Sequence, residues 1–309
     1  MTIAKFNAKP IERIDACPLC GSLHLKFRQS WGINGLMQQW KEQYGFVPIP
    51  PAYKGLRLEK YECNDCGLSS YNYNLTADYP GFGKKTIDKN TERAEYKIFI
   101  ENLKKWYGRS HKNVLQIGVS NGYLLEQLDK FCSVLGIDPD SALVRDLDKK
   151  RLPAMDICLN ALWREIVSLG NQPKFKAVVA SQSLGQVEDI KNSLDCVHDI
   201  LMSGGRFYVA AQNPEQTAKT GNGILNLPPF NQIDFSKKTF DWIAKEYGFE
   251  IVFYQKEPLT QEVYRTHKNL PADAPVDSIQ FVRAMQTESG HTHMVCFEMK
   301  KAERKTAQL

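Results

Sequence analysis

The chain has 309 residues, 42% hydrophobic and 24% charged, with a formal net charge of +5 at pH 7. That is room for one large domain and a smaller one around an ordinary core. No stretch reaches the roughly 18 uninterrupted apolar residues of a membrane span, and the N-terminus MTIAKFNAKPIERIDAC lacks a signal-peptide core, so a soluble cytoplasmic protein is expected.

Four of the eight cysteines form two matched turns, Cys17-Pro-Leu-Cys20-Gly21 and Cys63-Asn-Asp-Cys66-Gly67. One such pair would equally be a redox dithiol. Two of them complete the four sulfur ligands of a tetrahedral zinc ion, and the glycine after each lets the backbone curl round the metal. A four-sulfur site leaves no position for water, so its expected role is structural. Four bound thiolates would also lower the net charge by about two units. The remaining basic residues are scattered, and the C-terminal MKKAERK reads as a solvated tail, so neither nucleic acid nor membrane is the expected partner. Cys132, Cys158, Cys196 and Cys296 lie in apolar segments and are expected to be buried free thiols.

Between the two turns, SWGINGLMQQWKEQYG carries Trp31, Leu36, Trp40 and Tyr44 near helical spacing, which predicts a short helix inserted in a zinc ribbon. After the second turn, Tyr71, Tyr73, Tyr79 and Phe82 crowd among turn residues. Packing between domains is the plain expectation for these rings. Platforms at the rim of a substrate cleft are the alternative. The ribbon and its connector are assigned to residues 1–88, and a second domain to 89–309.

The second domain opens on an amphipathic helix, with Ala94, Ile98, Leu103 and Trp106 on one face and Thr91 as its cap. Strands at 114–118, 133–138, 153–157, 176–181, 205–210 and 249–255 then alternate with amphipathic helices, and HMVCFEM forms a last strand. Such alternation predicts an α/β fold, a doubly wound Rossmann-like sheet that binds its ligand at the carboxyl ends of the strands.

The first strand runs into a loop, VLQIGVSNGYLL. A dinucleotide fold needs G-x-G-x-x-G, but from Gly118 the later glycine positions hold Ser120 and Tyr123, and no P-loop Gly-Lys-Ser/Thr is present. What fits is Gly118-x-Ser120-x-Gly122 followed by Asp138 at the end of the second strand. A carboxylate there accepts hydrogen bonds from both hydroxyls of a ribose, so the pattern indicates an adenosine cofactor without a phosphate requirement.

These motifs resemble the class I S-adenosylmethionine-dependent methyltransferases over most of residues 90–255. VLQIGVSNGYLL is similar to the family's first motif and GIDPD to its ribose-binding second. VVASQSLGQVED resembles the fourth-strand segment, and VHDILMSGGRFYVAAQNP resembles the helix, Gly-Gly turn and fifth strand that follow it. HMVCFEM corresponds to the antiparallel seventh strand. A narrower likeness is to bacterial members that carry an N-terminal four-cysteine zinc ribbon and act on sugars in polysaccharide or secondary-metabolite pathways. The resemblance implies S-adenosylmethionine and zinc as cofactors, with Cys17, Cys20, Cys63 and Cys66 on the metal. Gln116, Gly118, Ser120, Gly122, Asp138 and Ser181 would then face the methyl donor, with Asp156 and Ile157 bordering its adenine.

It also implies a catalytic neighbourhood at Gln186, Asn231 and Asp234. Gly185 and Gln186 stand where the family often has Glu and His, Phe230-Asn231 where it often has a His pair, and Gln116 where it has an acid. Neither Gln nor Asn removes a proton near neutral pH, so the base is sought at Asp189, Asp234, His267 or His291, or the acceptor needs none. For Asp189 a helix cap is the plain alternative, and His291 with His293 can simply share a strand face. The long segment between the sixth and seventh strands is read as a lid or as surface decoration. The expected function is methyl transfer to a small-molecule acceptor such as a nucleotide-linked sugar, and the competing one is a catalytically silent scaffold that keeps the fold. An RNA methyltransferase would place cations round the cysteine turns, yet Lys60 is the sole cation in residues 60–82.

Overall fold

The computed structural model describes residues 13–75, 93–107, 113–168, 175–212, 227–256 and 292–300, with a few positions between 214 and 280. Its main feature is a seven-stranded sheet. β4 (Asn113–Ile117) lies at the centre, flanked on one side by β5 (Ser133–Ile137) and β6 (Ala154–Met155) and on the other by β7 (Phe175–Ser181) and β8 (Leu201–Gln212), all parallel. β11 (Thr292–Met299) runs antiparallel between β8 and β10 (Phe249–Lys256). This is the Rossmann-like α/β architecture that the sequence pattern predicts.

The central strands β4, β7 and β8 are mainly apolar because helices cover both faces. Alternate residues divide between two cores. Leu115, Ile117, Val178, Ala180, Phe207 and Val209 face α5 (Leu159–Ser168), α6 (Ile190–Ile200) and α7 (Lys237–Glu246). Val114, Ala177, Val179, Tyr208 and Ala210 face α2 (Ala94–Tyr107), α3 (Tyr123–Asp129) and α4 (Ser141–Lys149). β8 starts ahead of the expected strand at 205–210, because the chain turns extended at Leu201 as soon as α6 ends.

A four-stranded antiparallel sheet forms the N-terminal module: β1 (Leu25–Gly32), β2 (Arg57–Cys63), β3 (Ser69–Tyr71) and β9 (Ile233–Asp234). Its last strand comes from the segment after β8, with Ser69 opposite Asp234 and Ser70 opposite Ile233. α1 (Ile33–Tyr44) is the inserted helix. Its Ile33, Leu36 and Trp40 are buried, and it stops at Gly45 in the left-handed conformation at φ 75°. Trp31 belongs to β1 instead, its ring 6.0 Å from that of Tyr71.

Tyr71 and Tyr73 pack with Leu227 and Phe230 in a third core, so these rings join the module to the segment after β8. Tyr79, Phe82 and Thr91, the long segment before β11 apart from scattered positions, and the basic tail lie outside the described residues. Cys132, Cys196 and Cys296 are buried, whereas Cys158 is exposed. The expectation of burial fails there because Cys158 sits just ahead of α5, where its carbonyl accepts from Ala161 and Leu162 and its side chain points outward. Among the described residues no helix is long and apolar enough to cross a membrane.

Candidate cofactor site and cysteine cluster

At the carboxyl end of β4 the chain turns at Gly118, φ 77°, whose N–H donates to Ile137 O at 2.8 Å. A Cβ on Gly118 would lie 2.7 Å from Ser183 Cβ, and one on Gly122 2.3 Å from Leu147 Cδ2. Both glycines take left-handed φ, 77° and 84°, which strains any other residue, and at Gly118 a side chain would also press on Ser183. Ser120 also has a positive φ, 51°, a cost that L-residues seldom bear away from functional loops.

Asp138 follows β5, level with Gly118. Its Oδ2 accepts from Val119 N at 3.1 Å and its Oδ1 from Asp140 N at 2.9 Å. Burial pushes its carboxyl above the usual range, against those backbone N–H groups. Each oxygen keeps a further lone pair, so the group that ties the loop to β5 can still receive two hydroxyls. Asp156 and Ile157 follow β6 on the neighbouring strand, Asp156 exposed and Ile157 half-buried.

Gln116 lies beneath the loop, 2% exposed. Its Nε2 donates to Gly118 O at 2.9 Å, and its Oε1 is a buried acceptor with no hydrogen-bond partner. Ser181 ends β7 and donates from Oγ to Glu95 Oε1 at 3.2 Å. Glu95 is 3% exposed, and burial raises its carboxyl pKa. Arg93 Nη1 is 3.9 Å from the same oxygen. The Tyr96 ring stacks 6.0 Å from that of Tyr123. The sequence pattern does not single out this trio, because charged residues at a helix start are ordinarily solvated. The available signal is that Glu95 lies four residues before the fully buried Phe99, on the core-facing side of α2.

Beyond β7, Gln182 takes φ 57°, donates from Nε2 to Thr292 Oγ1 at 3.1 Å and accepts at its carbonyl from Gln186 Nε2 at 3.0 Å. Gln186 is exposed, whereas the other two residues of the expected catalytic group are buried. Asn231 and Asp234 do meet, with Asn231 Nδ2 donating to Asp234 Oδ1 at 2.6 Å and to Gln212 Oε1 at 3.4 Å. A Cβ on Gly185 would fall 2.0 Å from Asn231 Oδ1, so the amide occupies the space that an acidic side chain at 185 would need. Asp234 is 1% exposed and ion-paired with Lys60 of β2, an arrangement that links β9 to β2 within the four-stranded sheet and engages its carboxylate. Asp189 caps α6, accepting from Asn192 N at 3.0 Å. His293 faces the core, its Nδ1 3.1 Å from Tyr254 Oη and its ring against Phe240. His267 and His291 lie outside the described residues.

In the N-terminal module the four sulfurs of Cys17, Cys20, Cys63 and Cys66 lie within 4.8 Å of one another. Cys17 Sγ is 3.5 Å from Cys66 Sγ, and Cys20 Sγ is 3.5 Å from Cys63 Sγ. Four sulfurs about 2.3 Å from a central zinc would be about 3.8 Å apart, so the cluster fits that ion. The contact with Cys66 lowers the Cys17 thiol pKa, the direction a thiolate ligand requires. The second cysteine turn is fixed to α7, since Ser236 Oγ, the α7 N-cap, donates to Gly67 O at 2.9 Å.

No curated protein matches the chain. Among solved structures, an S-adenosylmethionine-dependent methyltransferase from Archaeoglobus fulgidus is 12% identical, with 66% of this chain and 94% of that one covered at a TM-score of 0.48. One from Mesorhizobium loti is 14% identical over 64% and 96% at 0.46. The N-methyltransferase NodS of Bradyrhizobium japonicum is 12% identical over 68% and 100% at 0.43. The family described as methyltransferase domain matches residues 89–253, just over half of the chain. Helix α2, the glycine loop and every parallel strand fall within that match, and the chain belongs to the methyltransferase domain family, whose methyl donor is S-adenosylmethionine.

Proposed function

We propose that the chain transfers the methyl group of S-adenosylmethionine to a small-molecule acceptor, a nucleotide-linked sugar or similar glycan precursor. The observation that carries this is the pairing of Asp138 with the Gly118–Gly122 loop. A half-buried carboxylate level with a close-packed loop suits a ribose, and the sequence carries no P-loop Gly-Lys-Ser/Thr beside it. The buried Oε1 of Gln116 adds an acceptor beneath the loop. Asp138 takes the ribose hydroxyls, Asp156 and Ile157 border the adenine, and Gln116, Ser120 and Ser181 line the methionine side. S-adenosylmethionine itself supplies an activated methyl carbon, so the chain's task is alignment and exclusion of water.

Gln186 and Asn231 are amides and Asp234 is held by Lys60, so these three position groups and do not take a proton. The four cysteines hold zinc in a structural role, in a reducing cytoplasmic setting. Incubation of zinc-loaded protein with methyl-labelled S-adenosylmethionine and a panel of nucleotide-linked sugars tests the reading. Label in a sugar nucleotide is expected. Cofactor binding with no transfer to any small molecule would favour the silent scaffold, for which the amides at 186 and 231 speak.

A further inference from the structure

The order β7, β4, β5, β6 along the sheet edge gives a bound nucleoside a direction. Ile117 is opposite Ile137 on one side and Ala180 on the other, so Asp138, Gly118 and Ser181 stand level across three neighbouring strands. Two strand spacings separate the outer pair, about 10 Å. A ribose at Asp138 with its adenine over β6 therefore sends the amino-acid end of the cofactor over β4 toward β7. At that end the residue beneath the loop is Gln116, an amide without negative charge. What stands there instead is the start of α2, where Glu95 accepts from Ser181 and lies 3.9 Å from Arg93.

We propose that Arg93 and Glu95 form a clamp for the zwitterionic amino-acid end of the cofactor. Glu95 gives the ammonium the negative charge that Gln116 lacks, and Arg93 takes the α-carboxylate. This rests on the S-adenosylmethionine reading of the site. Two further observations support it. Arg93 stops beyond hydrogen-bond distance of Glu95, so the buried carboxylate carries an incomplete ion pair, and burying such a charge is costly unless a ligand completes its partners. Burial also raises the pKa of Glu95, as expected of a group awaiting a cation. Tyr96, beside it, stacks on Tyr123 at the start of α3, 6.0 Å between ring centres, which sets the helix start against the end of the loop.

Isothermal titration with two ligands separates the clamp from the rest of the site. S-adenosylhomocysteine carries the amino-acid end, and 5′-methylthioadenosine has the same nucleoside and thioether without it. Glu95→Gln is expected to weaken S-adenosylhomocysteine about tenfold or more while changing 5′-methylthioadenosine less than about twofold. Arg93→Ala, at a side chain one-third exposed, should show the same selectivity and carries the test if Glu95→Gln fails to fold. Equal losses for both ligands, or unchanged S-adenosylhomocysteine affinity, would overturn the clamp while the cofactor reading stands. A wild-type protein that binds neither ligand would overturn both.

Discussion

Asp234→Ala leaves Lys60 buried without its counter-charge. The two side chains are 1% and 12% exposed, so little solvent can compensate, and Asn231 Nδ2 loses the nearer of its two acceptors at the same time. Breaking a buried pair from one side costs about 3 to 5 kcal/mol. At about 2 °C per kcal/mol for a chain of this size, the unfolding midpoint should fall by about 6 to 10 °C. Thermal unfolding followed by circular dichroism at pH 7, with urea titration alongside, measures the loss. Lys60→Met combined with Asp234→Leu removes both charges and should recover most of it.

The pH dependence has a definite sign. Burial pushes the Lys60 pKa down, but Asp234 and the neighbouring Tyr71 outweigh this and leave it raised. A raised lysine pKa gives stability that is full below the unfolded value, about 10.4, and is lost as pH climbs through the folded one. The difference between wild type and Asp234→Ala should therefore persist to about pH 10. An Asp234→Ala midpoint equal to wild type, or a double variant as unstable as the two single losses summed, would refute the pairing as a stabilising link between β2 and β9.

Gly118→Ala forces a left-handed residue and presses Cβ on Ser183, so it should cost about 1 to 3 kcal/mol of stability by urea unfolding. Removing zinc with a chelator, or Cys63→Ser, should abolish a stoichiometric zinc signal in elemental analysis and unfold the N-terminal module by circular dichroism, since a small ribbon depends on its metal. Glu95 has a raised carboxyl pKa, so the folded chain binds more protons there than the unfolded one, and stability falls as pH rises from the ordinary glutamate value through the raised one. Glu95→Gln should remove that slope, making the variant increasingly more stable than wild type across the window. A difference that is flat with pH would mean the carboxyl is not strained.

The sheet was legible because its period is simple. Apolar runs of strand length such as Lys176–Ser181 alternate with amphipathic helices, and only a doubly wound sheet buries both. The cofactor loop was legible through glycine spacing and Asp138, whose chemistry is local to the motif. The contributions of distant segments were not. β9 is two residues long and gains meaning only from pairing with β3, so the segment after β8 reads in sequence as a loop. Asp234 looks like a free acid until Lys60, far away in the chain, is placed beside it. Glu95 reads as a solvated helix-start acid, because burial depends on which elements pack above it. Cys158 errs in the opposite direction, since apolar neighbours in sequence do not prevent a position just before a helix from facing water.

The dissociation constant of S-adenosylhomocysteine for the zinc-loaded wild-type protein and for Asp138→Ala, by isothermal titration, bears on the cofactor site itself. Wild type is expected to bind with one-to-one stoichiometry, and Asp138→Ala to lose about 1.5 to 3 kcal/mol of affinity from the hydrogen bonds between ribose hydroxyls and a charged acceptor. No heat of binding with wild type, or an affinity untouched by Asp138→Ala, would contradict the placement of the nucleoside across β4 and β5.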